Sequence, residues 1–481
     1  MLGGTLKKAT VHLGLAVLGC LPAVAQAPQQ QFIEEEKRVE LDRGGVSYNQ
    51  DAFIDYGGWT SFQVISFDDD PDNTAGFKDR RTLRLVDSRI WGSFDYKDIH
   101  RVYVRGVTQY TDFNEGTQYN REKDIRGPNL DQGFYEFNWS SLTKDKNWGG
   151  YVRVGRQFLT LGRGVLFNNV HDGAQIQVET NPVVWKVFGS RPPRGTDDFD
   201  QSIDKPNHSR RYFLGSEAMF PELISRQRFY VLGLIERDDN PDGDVISPGA
   251  EFDYDTWYLG GGARGSFLSN TLYQAEVAYQ GGQSTATGTT TDESIHAWYA
   301  SFLFEYFPHI VTKPRFAGEW LFGSGDEDRG SVTSTTGGNK VGTDDENFQS
   351  FGFAQTGYAL FPRLSNIHVF KASASFFPFE HFVNPKNWTG TFERFEVGSA
   401  FYFYRKQISG GVISDPRVAT SVGLGNDDSF LGTELDVFVR WRILSDLSAS
   451  FNWGYFMPGD AYDDTVDSKR SFLSAGATLT F

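Results

Sequence analysis

The chain has 481 residues, a formal net charge of −16, 15% aromatic side chains, 52 glycines and one cysteine. A helical membrane protein is excluded: it needs several apolar runs of about 20 residues, and the one candidate lies at the extreme N-terminus. A single thiol builds neither a disulfide framework nor a cysteine-ligated metal site, 39% hydrophobic residues is too rich for disorder, and the acidic balance excludes a nucleic-acid partner.

Lys7 and Lys8, the apolar stretch Ala9 to Val24, and Ala23-Val24-Ala25 read as a secretory signal, residues 1–25, cut after Ala25. Cys20 behind Val17-Leu18-Gly19 offers a weaker lipoprotein cleavage box, with bulky Leu18 where a small residue is preferred. Cleavage at Ala25 leaves no cysteine, which suits an oxidising compartment. Residues 26–52 are polar, with Glu34-Glu35-Glu36-Lys37-Arg38 among them, and read as a periplasmic tail or short helix.

From Phe53 the pattern becomes a two-residue alternation broken by Gly, Asp, Asn and Pro clusters. Val102, Val104, Gly106, Thr108 and Tyr110 alternate with Arg101, Tyr103, Arg105, Val107 and Gln109; Leu435, Val437, Val439, Trp441 and Ile443 alternate with Glu434, Asp436, Phe438, Arg440 and Arg442. A soluble sandwich also alternates, so three further features decide. The chain finishes Gly476, Leu479, Phe481, apolar at spacing two with a final aromatic, like the signal read by the barrel assembly machinery of bacterial outer membranes. Short connections such as Tyr96-Lys97-Asp98 alternate with long ones such as 192–210, the asymmetry of periplasmic turns and outer loops. Aromatics such as Trp59, Phe62, Phe94 and Tyr96 flank the strands as interfacial girdles do. The fold predicted for 53–481 is an all-β, transmembrane, antiparallel up-and-down barrel. Lipid offers no hydrogen-bond partner, so the sheet must close.

Strand windows begin near 54, 82, 99, 132, 149, 172, 182, 211, 227, 253, 270, 294, 313, 367, 392, 430, 446 and 471. A further candidate, Phe351 to Leu360, breaks the topology. With both ends in the periplasm the count is even, and short turns fall on the periplasmic side only if 324–365 is one outer loop. About 18 strands follow, wide enough for an aqueous bore.

Charges on the lipid side cost roughly 2–4 kcal/mol at the midplane, so alternation sends the charged rows inward: Arg89, Arg101, Arg105, Arg153, Arg315, Lys371, Arg394, Arg440 and Arg442, with Asp87, Glu136, Glu276, Glu319, Glu396, Glu434 and Asp436. Arg156 is three residues from Arg153 and enters the bore only through a bulge. Acid runs (Asp68 to Asp70, Asp197-Asp198, Asp326-Glu327-Asp328, Asp344-Asp345-Glu346, Asp463-Asp464) fall in outer loops and read as loop solvation, with a rim of divalent cations beside anionic lipopolysaccharide as the alternative. Asp238, Asn240, Asp242 and Asp244, with Gly243, match the first half of a calcium loop, although Gly249 stands where the closing Glu belongs. No other cofactor is implied.

Leu130-Asp131-Gln132, Val154-Gly155-Arg156-Gln157, Asp172-Gly173 after Asn168 and Asn169, Ser324-Gly325-Asp326, Ser365-Asn366-Ile367, Leu431 to Asp436 and Gly454 to Gly459, in that order, resemble the alginate export family of outer-membrane porins. The resemblance implies an 18-stranded barrel and passive export or uptake through an arginine-lined constriction, and it carries over Arg156, Gln157, Asp172, Asp326, Glu434 and Asp436. The segment Phe158 to Gly164 departs from the family pattern in lacking an acidic or aromatic run, which puts the alginate substrate in doubt more than the fold.

The function expected is a porin for anionic or carboxylate-bearing solutes, a small molecule or a uronate polysaccharide. Weak, repeated sites suit conduction. The alternatives are a phosphate-type or general anion porin and a barrel sheathing an electron-transfer partner. A barrel hydrolase is disfavoured: acyl chemistry needs a positioned His, and His100, His171, His208, His296, His309, His368 and His381 show no local motif.

Overall fold

The computed structural model describes residues 51–68, 81–113, 123–143, 148–200, 207–240, 253–286, 289, 291–329, 338–383, 388–413, 428–462 and 469–481. The expected signal 1–25 and nearly all of the polar segment 26–52 lie outside them.

Eighteen strands follow one another in the chain. The first six are β1 (Ala52–Asp68), β2 (Arg81–Tyr96), β3 (His100–Phe113), β4 (Lys123–Asn138), β5 (Trp148–Leu161) and β6 (Phe167–Thr180). Next come β7 (Val184–Arg191), β8 (Arg211–Ile224), β9 (Gln227–Asp238), β10 (Tyr254–Gly265), β11 (Thr271–Thr285) and β12 (Asp292–Tyr306). The last are β13 (Arg315–Gly323), β14 (Ile367–Phe376), β15 (Phe395–Lys406), β16 (Phe430–Arg442), β17 (Leu447–Pro458) and β18 (Arg470–Thr480). Each pairs antiparallel with its neighbours in sequence, and β18 pairs with β1, Trp59 opposite Thr480 through Asp68 opposite Ser471. The ring has no free edge, which removes the unsatisfied amides that lipid would penalise.

Every expected window carries a strand. The largest differences are at β4, which starts at Lys123 rather than near 132, and at β6, which starts at Phe167 rather than near 172. Gly127-Pro128-Asn129 reads as a turn, yet it stays in the ladder through register shifts opposite Arg105/Gly106 and Val107/Gln109. Gly127 has φ +115°, and a Cβ there would lie 2.5 Å from the Val107 carbonyl, so only glycine keeps this bulge.

Phe351 to Leu360 is not a strand. It belongs to the connection between β13 and β14, as the even count requires, and makes one parallel bridge, Phe167 to Phe351. Even-to-odd connections are mostly tight: 97–99, 181–183 and 225–226. The 377–394 connection is the exception and holds a 3-10 turn, Trp388–Phe392. Alternation divides the faces as expected: Val104 is 50% exposed on the lipid side while Arg105 is 2% exposed inside.

Candidate functional site

Many wall charges inside the barrel meet opposite charges. Arg89 binds Asp87 (Nε to Oδ1, 2.9 Å) and Asp131 (Nη1 to Oδ2, 2.9 Å), and Arg105 donates to the same Asp131 oxygen at 2.6 Å. Both guanidiniums lie over Trp59. Asp131 and Gln132 are adjacent, yet Gln132 is opposite Arg105 and Leu130 opposite Gly106; the bulge between them sends Asp131 to the arginines. Arg153 donates from Nε and Nη2 to Glu136 and lies over Phe134. Arg101 faces Asp95 at 3.7 Å, Lys371 faces Glu319 at 3.7 Å, Arg440 faces Glu396 at 3.9 Å, and Arg315 pairs with Glu305. Arg394 and Arg442 sit together at the periplasmic end, where the Arg442 amide donates to the Arg394 carbonyl and its guanidinium to the Ser445 carbonyl.

Three carried-over residues, Arg156, Gln157 and Asp172, are placed differently. β5 and β6 pair without a register shift, so Arg156 takes the row opposite to Arg153, shared with exposed Val154. There it forms a two-point pair with Asp172, at 2.7 and 3.0 Å, on the outward side. Gln157 is fully buried and donates to the Arg153 and Gly173 carbonyls. Neither Arg156 nor Gln157 therefore presents its polar group to the bore as the resemblance implied.

Two outer connections fold inward. The first is the β5–β6 tip, in the segment that departs from the family pattern. Leu159, Leu161, Val165 and Leu166 are buried. The Gly162 amide donates to Glu217 on β8, the Arg163 amide to Glu276 on β11, and the Arg163 guanidinium to Glu319 on β13. The tip thus reaches across the lumen to three carboxylates, of which alternation presents Glu276 and Glu319 as free lining.

The second is the 324–366 connection. Asp326 is buried and shapes its base, accepting from the Asp328 and Glu346 amides and from Asn339 Nδ2; burial raises its pKa and the backbone donors oppose that. Farther along, the Gln349 carbonyl accepts from Tyr258, and the Phe351, Gly352 and Phe353 amides donate to the Leu166, Val165 and Gly164 carbonyls of the first tip. The loop then reaches the opposite wall. Glu434, fully buried on β16, accepts from the Tyr358, Ala359 and Leu360 amides at 2.6, 2.7 and 2.8 Å. Asp436, also buried, lies next on the same face.

Arg363 projects from the returning limb. It is exposed at the surface, and desolvation by neighbouring protein lowers its pKa. No side-chain hydrogen bond or ion pair engages it among the described residues. A guanidinium stays charged, so Arg363 puts a cation on the limb that runs from the Glu434 contacts back to β14. Alternation missed it because it lies in a loop. The signal was composition: from Asn347 to Asn366 it is the one charged residue.

Some of the loop acids are drawn into buried ion pairs, whereas Asp197, Glu327, Asp344 and Glu346 are exposed as solvating groups would be, and Asp69, Asp70, Asp463 and Asp464 lie outside the described residues. Asp198 joins Glu236 and Asp238 around Arg211, which stacks on Phe199 at 3.9 Å, and Asp345 holds Arg329; all are buried. Asp238, the first residue of the calcium-like loop, thus commits its carboxylate to Arg211 and also accepts from Asn240. Asp242 and Asp244 lie outside the described residues, among which no cluster of three acidic, His or Cys side chains is arranged to hold a metal.

Comparison with known proteins agrees with this architecture. No curated protein matches the sequence. Among solved structures the chain is similar to Pseudomonas aeruginosa OccK5 (OpdH), at TM-score 0.52 and 9% identity, covering 89% of this chain and 98% of that one. P. aeruginosa OccK2 (OpdF) in complex with glucuronate gives 0.51 and 10%, over 89% and 98%, and Acinetobacter baumannii OccAB1 gives 0.51 and 13%, over 89% and 96%. At such identities these likenesses show the fold alone. The profile for alginate export matches residues 59–475, and with a closed 18-stranded wall this makes the chain a porin of the bacterial outer membrane that belongs to the alginate export family.

Proposed function

We propose that this porin passes anionic, carboxylate-bearing solutes, uronates among them, and that Arg363 biases the field along its bore toward anions. The observation that carries the reading is the contrast between Arg363 and the paired arginines of the wall. Arg89, Arg105, Arg153 and Arg163 each sit against a carboxylate, so their charges cancel locally and contribute geometry more than field. Arg363 has no such neighbour, and low-dielectric walls concentrate the field of an unmatched charge in a channel. Paired arginines and acids beyond it provide weak contacts that a solute leaves readily. The glucuronate bound to the structurally similar OccK2 makes a uronate the natural first solute to try.

The test is a reversal potential across a planar bilayer in a salt gradient. Wild type is expected to favour chloride over potassium, and Arg363→Gln to reduce that ratio about three- to fivefold, the effect of a charge worth about 1 kcal/mol at contact distance in water. An unchanged ratio removes Arg363 from the mechanism.

A further inference from the structure

Arg228 and Arg264 are opposite each other as Cα partners across β9 and β10. Arg228 lies on the row of Tyr230, Leu232, Leu234 and Glu236, all buried inside the barrel, and Arg264 continues the row of Tyr254, Thr256 and Tyr258. Both therefore face the bore, and both adjoin the tight turns 225–226 and 266–270, which places them at its periplasmic mouth. Like charges directly opposite on adjacent strands are destabilising. Among the described residues the nearby carboxylates form no ion pair or hydrogen bond with either arginine. Glu276, whose partner Gly262 is two positions from Arg264, accepts from Tyr230 Oη at 2.6 Å and from the Arg163 amide at 2.8 Å. Glu217 holds the Gly162 amide and Lys186, and Glu305 holds Arg315.

What remains for the two guanidiniums is meagre. Arg264 reaches the Met219 sulfur from Nη2 at 3.6 Å, and its buried Nε has no hydrogen-bond partner. Arg228 is exposed to the lumen, with no hydrogen bond or ion pair among the described residues. The next residue along the row is Gln274, opposite Arg264 on β11, which adds an amide. Two adjacent guanidinium forks with open donors match the planar oxygen pair of a carboxylate, or the oxygens of a phosphate. Arg226, at φ 62° in the turn before Arg228, lines a cavity of about 660 Å³ with Ser269, Asn270, His309 and Lys313, so further donors cluster at the same end.

We propose that Arg228 and Arg264, with Gln274, form an oxyanion subsite at the periplasmic mouth that receives the carboxylate of the solute as it enters or leaves the bore. The proposal deepens the anion-porin reading and rests on it for the solute, but its residues are separate from Arg363. A bound anion relieves the repulsion, so occupancy and stability are coupled.

Thermal unfolding of the detergent-solubilised, full-length porin tests this directly. D-glucuronate and inorganic phosphate serve as probes and glucose as the neutral control. Wild type is expected to melt higher with glucuronate and not with glucose. A rise with phosphate as well marks the site as general for oxyanions; a rise with glucuronate alone marks it as carboxylate-selective; both support the subsite. The Arg228→Gln/Arg264→Gln variant is expected to lose the rise and, without ligand, to melt no lower than wild type, because the repulsion is gone. In bilayers the same variant is expected to weaken glucuronate block from the periplasmic side about tenfold, the loss of charged hydrogen bonds, with outer-side block retained. A variant that keeps both the anion-dependent rise and the periplasmic block overturns the proposal. If Arg363→Gln leaves ion selectivity untouched while this rise depends on Arg228 and Arg264, the role proposed for Arg363 fails and the subsite stands; the reverse pattern removes the subsite alone.

Discussion

Arg105 and Arg363 carry the same charge, yet substituting them has different consequences. Arg105 is 2% exposed, and its Nε is 2.6 Å from Asp131, so Arg105→Gln leaves Asp131 to Arg89 alone. The expected result is a shift of selectivity toward cations together with lower stability, whereas Arg363→Gln shifts selectivity with little change in melting. Arg211 is the extreme of the first kind. It is the shared cation for Asp198, Glu236 and Asp238, and taking one partner from a buried ionic cluster costs about 3–5 kcal/mol. Arg211→Gln is expected to lower the guanidinium midpoint followed by tryptophan fluorescence; a midpoint equal to wild type contradicts the assigned role. Which arginines are spent on structure was not readable from alternation. Asp131 enters by a bulge, and Asp198 enters from a connection that strand periodicity does not describe.

At the scale of elements, the inward connections govern the bore. The carboxylate of Glu434 holds three consecutive loop amides, and the single Tyr404 hydroxyl proton lies between the Thr356 carbonyl at 2.7 Å and Glu434 at 3.1 Å. Hydrogen bonds to a charged group contribute about 1.5–3 kcal/mol each. Glu434→Gln is expected to loosen the 356–360 limb and to raise single-channel conductance and open-channel noise; unchanged traces argue that this limb does not bound the conducting path. The strands themselves were legible because a sheet wet on one face and oily on the other enforces period two, and because the count had to be even. That argument already assigned Phe351 to Leu360 to the loop. It was silent on where the loop goes, since inward folding is decided by contacts between residues far apart in sequence, such as Gln349 with Tyr258 and Gly352 with Val165.

For the whole molecule the decisive contact is the seam. Gly58 and Phe481 exchange backbone hydrogen bonds at 2.9 Å in both directions. A Cβ on Gly58 would lie 2.4 Å from the Arg89 carbonyl and 2.8 Å from the Phe481 ring. Gly58→Val is therefore expected to impair closure between β18 and β1. An unboiled sample then migrates as the unfolded chain on a denaturing gel, where wild type runs as a compact band; a compact band from the variant shows that the seam tolerates the clash.

The long connection leaves the wall at Gly323 and rejoins it at Ile367, two residues that are themselves ladder partners. Replacing everything between them leaves each rung of the cylinder in place, provided the wall groups it satisfied find new partners. The trait proposed for Arg363 is thus detachable: exchanging one insert would change it while the container that inserts into the bilayer stays the same.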